Sequence, residues 1–303
     1  MRIRERVGER RARNRWLVPV GAAAAAALVA GGVAGGLALA GDDDPQVAPP
    51  AVSPSSTASP TPSSQPASQT VTVPVYYLGD TGRSLRLYRE FHRATSNKPV
   101  IETAVHEMLA VPAMDADYKS VWPTKTSVNA VSVSRDVATV DFSSQVTGPF
   151  NGGTEAATIS VQQLVWTVTA ADPKVKSVDI TVDGKPITDL WGVDVSKPQK
   201  RGIHYEVLGA VWILTPTERA SVKSPVVISG QATVFEATVS IEIRRAGIKV
   251  KDTFVTASEG GPARGNWTLS VPLPPGTYEV RAYESSAEDG SVLNLDDKTF
   301  TVR

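Results

Sequence analysis

The chain has 303 residues, carries 31 basic and 31 acidic side chains, and contains no cysteine. The missing cysteine excludes disulfide staples, thiolate chemistry and a cysteine-ligated zinc site, so any folded part must be held by apolar cores. The length admits two folded domains of about 100 residues each, besides the flanking segments.

Residues 1–15 form a basic tail, with arginine at 2, 4, 6, 10, 11, 13 and 15 against Glu5 and Glu9. An uncharged run follows from Trp16 to Gly41, WLVPVGAAAAAALVAGGVAGGLALAG, closed by Asp42, Asp43 and Asp44. A spanning helix needs about 20 mostly apolar residues, so 16–41 is expected to be a transmembrane signal anchor. Arginine excess on one flank holds that flank in the cytoplasm. Residues 42–303 are therefore expected outside, on a single-pass protein of the cell membrane. The alternative is a signal peptide cut after Ala38-Leu39-Ala40, a small-x-small site that would release the rest. Beyond the tail 24 basic residues face 29 acidic ones. That balance argues against nucleic acid as a partner, which would want a basic face.

From Asp42 to Thr70 the sequence is Pro, Ser, Thr, Ala and Gln with almost nothing to bury. Such a composition cannot offset the entropy of ordering and reads as a disordered linker. Its prolines make it a semi-stiff spacer, reaching up to about 3.1 Å per residue from the membrane.

Order is expected from Val71. The stretch Val71–Leu78 is strand-like, Gly79-Asp80-Thr81-Gly82 is turn chemistry, and Leu85–Phe91 resumes a strand. Pro99 opens a helix in which Ile101, Ala104, Val105, Met108 and Leu109 form one stripe, and Pro112 ends it. Residues 128–142 read as a hairpin, with Val131, Val133, Ala138, Val140 and Phe142 on one face about a Ser134-Arg135-Asp136 turn. A second helix covers about Thr154 to Ala171, with Ala157, Val161, Leu164, Val165 and Val168 as its stripe. A strand at 178–182 closes at Asp183-Gly184. The order β-β-α-β-β-α-β, with two helices on one face of a mostly antiparallel sheet, is an α+β domain.

The stretches VPVYYLGDTGRSLRLYREFHR, VIETAVHEML, VNAVSVSRDVATVDFS and QQLVWTVTAADPKVKSVDITVDGKPI, in this order, resemble the GerMN domain of bacterial sporulation and germination proteins. The likeness covers about residues 71–192. It implies a fold related to ring-building modules of secretion and sporulation complexes, and no enzymatic activity.

Residues 193–209 read as a polar connector, and the pattern then changes to seven short strands between Val211 and Val302. Turns such as Ser229-Gly230, Gly260-Gly261-Pro262 and Pro274-Pro275-Gly276 punctuate them. Short strands at this spacing predict an all-β sandwich over 210–303. The stretches VWILTPTERASVKSPVVISGQATVFEATVSIEIR and GNWTLSVPLPPGTYEVRAYESS are similar to the immunoglobulin-like domain of bacterial spore germination, a module that commonly follows a GerMN domain. The break in composition at 196–209 predicts that the two domains fold independently.

The chemistry-bearing motifs are weak. Asp80-Thr81-Gly82 has the composition of an aspartic-protease loop, but Arg83 follows where small residues belong, and a hairpin turn explains it as well. His106-Glu107-Met108-Leu109-Ala110 begins like a zincin helix with its second histidine replaced. His92 and His204 stand alone, and no Gly-rich phosphate loop precedes a helix. No catalytic, cofactor-binding or metal-binding residues are expected, and no cofactor. Trp166 faces away from its helix's stripe, so it either packs on the neighbouring helix or stands exposed as a contact residue. Trp122 and Trp191 are weaker contact candidates. The expectation is a non-enzymatic interaction or assembly module of the bacterial cell envelope, tethered by its N-terminal helix and binding envelope proteins or its own kind. The alternative is a module that binds peptidoglycan or a small ligand, with Trp122 or Trp191 lining a groove.

Overall fold

The sandwich and the α+β domain follow one another in a computed structural model that describes residues 68–303. The basic tail, the 16–41 run and nearly all of the proline spacer lie outside the described residues. Among those described, no helix is long and apolar enough to cross a membrane.

Strand β1 (Gln69–Asp80) and strand β2 (Leu85–Ser96) form a long antiparallel hairpin in unbroken register, Gln69 opposite Ser96 and Asp80 opposite Leu85. Helix α1 (Val100–Ala110) starts directly after Pro99 and buries Ile101, Ala104, Val105 and Met108, the expected stripe. The two-residue strand β3 (Tyr118–Lys119) pairs with β1 only at Leu78 and Gly79. Strands β4 (Val128–Ser134) and β5 (Val137–Phe142) make the expected hairpin, and Ala138, Val140 and Phe142 are buried. Val133 departs from the expected buried face and is exposed, because it sits beside the turn at the sheet's outer edge.

Helix α2 (Thr154–Ala171) is buried on more than its apolar stripe, since Gln163, Thr167, Ile159 and Trp166 are inside as well. The reason is a job the stripe does not reveal. The Tyr76 backbone N–H donates to Thr167 Oγ1 at 3.2 Å, and Gln163 Nε2 donates to the Tyr76 carbonyl at 2.7 Å. These side chains satisfy the edge of β1 that the short β3 leaves open, as buried backbone groups require. Strand β6 (Ser177–Val182) then lies parallel to β5, and Asp183-Gly184, both with positive φ, turn it into β7 (Lys185–Pro186). Strands β8 (Asp189–Leu190) and β9 (Val193–Asp194) form a small hairpin. The stretch expected as a polar connector adds β10 (Gln199–Lys200) to β6 and a one-turn helix α3 (His204–Val207). The strands thus fall into two hydrogen-bonded sheets, β2-β1-β3 and β10-β6-β5-β4.

The sandwich comprises β11 (Val211–Thr215), β12 (Ala220–Val222), β13 (Val226–Ala232), β14 (Thr238–Arg245), β15 (Ile248–Thr256), β16 (Gly265–Val271), β17 (Gly276–Ser285) and β18 (Val292–Val302). The sheet β11-β13-β16 packs on β12-β18-β17-β14-β15 around Ile228, Ile241, Trp267, Val280 and Phe300. Short β12, unexpected from the sequence, runs parallel to β18. Ser229-Gly230 is no turn but the middle of β13. A Cβ on Gly230 would lie 1.9 Å from the Trp212 carbonyl oxygen and 2.5 Å from the Trp267 ring, so glycine is there for close approach.

Candidate functional site at the seam between the domains

The boundary between the two folded regions is a packed seam, where residues after 206 enter the first region's core. Trp212 opens the sandwich on β11 but belongs to the first domain's core, where it is 2% exposed. Its ring lies 6.2 Å from that of Tyr76 and 6.4 Å from that of Tyr88. Val207 and Leu208 join the same core, and Leu208 bridges to Leu87. A second-domain tryptophan completing the first domain's core is incompatible with two separately closed hydrophobic units.

On one side of Trp212 the seam holds a buried charge network. Lys298 on β18 pairs with Asp115 from the loop after α1, and donates to Asp296 at 3.1 Å and to the Tyr118 hydroxyl at 2.8 Å. The Tyr118 hydroxyl in turn donates to Asp296, whose other oxygen accepts the Ile213 N–H at 2.5 Å. Burial alone would lower the Lys298 ammonium, but Asp296 and Asp115 hold it above its ordinary value. Burial raises the Asp296 carboxyl despite Lys298, and raises the Tyr118 phenol further. Two residues of one domain, Asp115 and Tyr118, and one of the other, Asp296, therefore close around the Lys298 cation.

The loop that delivers Asp115 is itself anchored. Glu90 on β2 accepts the N–H groups of Met114 at 2.8 Å and Asp115 at 3.0 Å. His92, one pleat further on, bridges Glu90 at 3.0 Å and Glu107 of α1 at 3.2 Å, stacked on Tyr77. Burial would lower the imidazole, but the hydrogen bonds to Glu90 and Glu107 outweigh it and raise its pKa. His92 is thus not isolated.

The sequence carried a signal for this network. Asp296 and Lys298 fall in phase with Phe300 and Val302 on β18, and Glu90 and His92 in phase with Tyr88 and Ala94 on β2. Charges at core-facing positions of a strand need partners, whatever those partners are.

The three tryptophans named from the sequence are placed as follows. Trp122, 8% exposed, packs on Phe142 and donates Nε1–H to Gln163 at 3.0 Å. Trp166, 7% exposed, meets Tyr76 at 5.7 Å and lies under the Arg201 guanidinium at 4.2 Å. Neither is an exposed contact residue: Phe142, Trp191 and Gln163 cover Trp122, and Tyr76 and Arg201 cover Trp166. Trp191 is half-buried, stacked on Phe150 at 4.4 Å, edge-on to Trp122, with Nε1 donating to the Val146 carbonyl. A wall-polymer groove lined by Trp122 is therefore closed.

Asp80-Thr81-Gly82 is the β1–β2 turn: Asp80 Oδ1 accepts the Gly82 N–H at 2.8 Å, and Thr81 caps Ser84. His106 is exposed on α1. Among the described residues no three His, Asp or Glu side chains are placed to hold a metal ion.

Fold and seam define the class: a two-domain protein in which an α+β module and an immunoglobulin-like sandwich share a core residue and a buried charge network. Two family models then match the chain, one for sporulation and spore germination over residues 74–188, the other for the immunoglobulin-like domain of bacterial spore germination over 210–291. The chain thus carries a GerMN domain followed by a germination-type immunoglobulin-like domain, and neither is an enzyme family. Among solved structures it is similar to the tandem GerMN domains of the sporulation protein GerM from Bacillus subtilis, at 20% identity over 48% of this chain and 50% of that one, with a TM-score of 0.37. The chain thus spans half the length of that relative. It is also similar to the first GerMN domain of that protein, at 20% identity over 44% of this chain and 98% of the other, TM-score 0.36. A putative lipoprotein from Clostridium perfringens matches at 15% identity over 44% and 88%, TM-score 0.32. No curated protein matches the chain.

Proposed function

We propose that this protein is a membrane-anchored, non-enzymatic assembly module of the bacterial cell envelope, exposed on the extracytoplasmic side. The 16–41 run with its arginine flank supports the anchor and the orientation. The observation that carries the association role is on the sandwich. Strand β15 is the edge of the five-stranded sheet, bonded only to β14. Ser240 and Glu242 of β14 stand opposite Phe254 and Asp252, whereas the buried Ile241 and Ile243 stand opposite Thr253 and Lys251. Phe254 therefore projects outward, 65% exposed, and Val250 at the register shift and Ile248 are 51% and 70% exposed. An edge strand with an apolar outer face is a template for adding a strand from another chain.

Lys249 pairs with Asp252 on the same strand at 2.7 Å, whereas Lys251 forms no ion pair among the described residues. The fitting occupant is an extended, neutral or acidic segment of a second envelope protein. A membrane-impermeant amine cross-linker applied to intact spheroplasts tests location and association together. The expected result is labelling from outside and a discrete adduct that Phe254→Glu abolishes while the melting temperature holds, because an exposed substitution costs within about 0.5 kcal/mol. No external labelling contradicts the placement. An adduct indifferent to Phe254→Glu contradicts the surface, and an adduct of twice the chain's mass identifies a second copy as the occupant.

A further inference from the structure

The other side of the seam is built differently. A cleft of about 540 Å³ is lined by Tyr76, Arg89, Lys176, Lys200 and Arg201, with Val175 and Pro173 as its apolar wall and no carboxylate. None of its four cations forms an ion pair among the described residues, whereas Lys298, His92 and Glu242 are all paired. Arg201 instead donates Nε–H to Thr169 Oγ1 at 2.6 Å. Arg89 Nε is buried without any hydrogen-bond partner, as is one terminal nitrogen of Arg264, whose guanidinium lies 3.9 Å over Trp212. Tyr76, 2% exposed, lends its ring to the cleft. Burial depresses Arg264 to about 10 and also lowers Arg201, with Arg89 adding like-charge repulsion to both.

Arg89 is half-buried with its Nε unpartnered, which is costly without a counter-ion, and the exposed Lys176, Lys200 and Arg201 line the same cleft. Four cations thus converge on one cleft with no carboxylate to meet them. We propose that the cleft is a binding site for a phosphate-type oxyanion, held by Arg89, Lys176, Lys200 and Arg201. Two arginine forks and two ammonium groups offer more donors than a lone carboxylate has oxygens to accept, and a phosphoryl group matches them in charge and geometry. The cleft is larger than phosphate itself, so the ligand carries an organic body against Val175 and Pro173. The same phosphoryl chemistry is offered by a soluble phosphomonoester and by the phosphodiester of an anionic polymer.

The site is separate from the β15 surface, and the two readings fail separately: Phe254→Glu should leave anion binding intact. The test is calorimetric titration of the full chain in detergent micelles with inorganic pyrophosphate, glycerol phosphate and a poly(glycerol phosphate) chain. One saturable site is expected, weakened about tenfold by Arg201→Gln or by the exposed Lys200→Gln, the scale of losing one charge-assisted hydrogen bond. Affinity should also fall as salt rises. Tighter binding of the polymer assigns the site to a polymer, and tighter binding of the small phosphates assigns it to a soluble ligand. No saturable binding of any probe, or binding unchanged in both variants at unchanged melting temperature, overturns the proposal.

Discussion

The two flanks of Trp212 treat positive charge in opposite ways. On one flank Lys298 is enclosed by Asp115, Asp296 and Tyr118, drawn from both domains. On the other, Arg89, Arg201 and Arg264 gather around Tyr76 with no carboxylate among their described contacts. The first arrangement makes sense as architecture, since each charge exists to satisfy another and the set locks two domains together. The second holds Arg264 by hydrogen bonds to Gly209, Gln231 and Thr233 and Arg201 by one to Thr169, and sets no carboxylate against either. Within one molecule, then, a cation enclosed by carboxylates sits a short way from cations that meet none.

Substitutions on the two flanks should differ accordingly. Lys298→Ala leaves Asp115 and Asp296 buried and uncompensated, and should cost about 3–5 kcal/mol in urea denaturation. Arg201→Gln removes a cation that has no counter-ion and loses only its contact with Trp166 and one hydrogen bond, so its cost should stay under about 1 kcal/mol. Equal costs would erase the contrast.

The smallest effect is on pH, and it belongs to the paired flank through Glu90 and His92. The His92 pKa is raised in the folded state, so its contribution is complete below its ordinary value of 6.5 and is lost as pH rises through the folded value. The Glu90 pKa is lowered by His92 and the two loop N–H groups despite burial, so its contribution is complete above 4.5 and is lost as pH falls through the folded value. Melting temperature should therefore be highest between about 4.5 and 6.5, and His92→Gln should flatten the alkaline limb. A limb unchanged in that variant would place the titration elsewhere.

Much of the architecture was legible because it is local. The 3.6-residue stripe of α1, the bounds of α2, the Asp183-Gly184 turn and seven of the sandwich strands follow from periodicity and turn chemistry, which each segment carries by itself. The polar burial of α2 was not legible. Gln163 and Thr167 look like solvent positions until β1 is known to lack a neighbour at Tyr76. Trp166 and Trp122 misled for the same reason, since their cover comes from segments distant in the sequence. Trp212 was read simply as the first strand of the sandwich, and nothing local says that it points into the other domain's core. The charge network was half legible: the phase of Asp296 and Lys298 on β18 marks them as inward, but Asp115 lies 183 positions away.

The claim beneath all of this is that the two domains are one cooperative unit joined through Trp212 and Lys298. Differential scanning calorimetry of the full chain in detergent, compared with its Trp212→Ala variant, tests it most directly. The account predicts a single transition for residues of both domains, moved as a whole by the variant, whose cost should be about 3–5 kcal/mol for truncating a buried tryptophan. Two separate transitions, of which the variant moves only one, would contradict it.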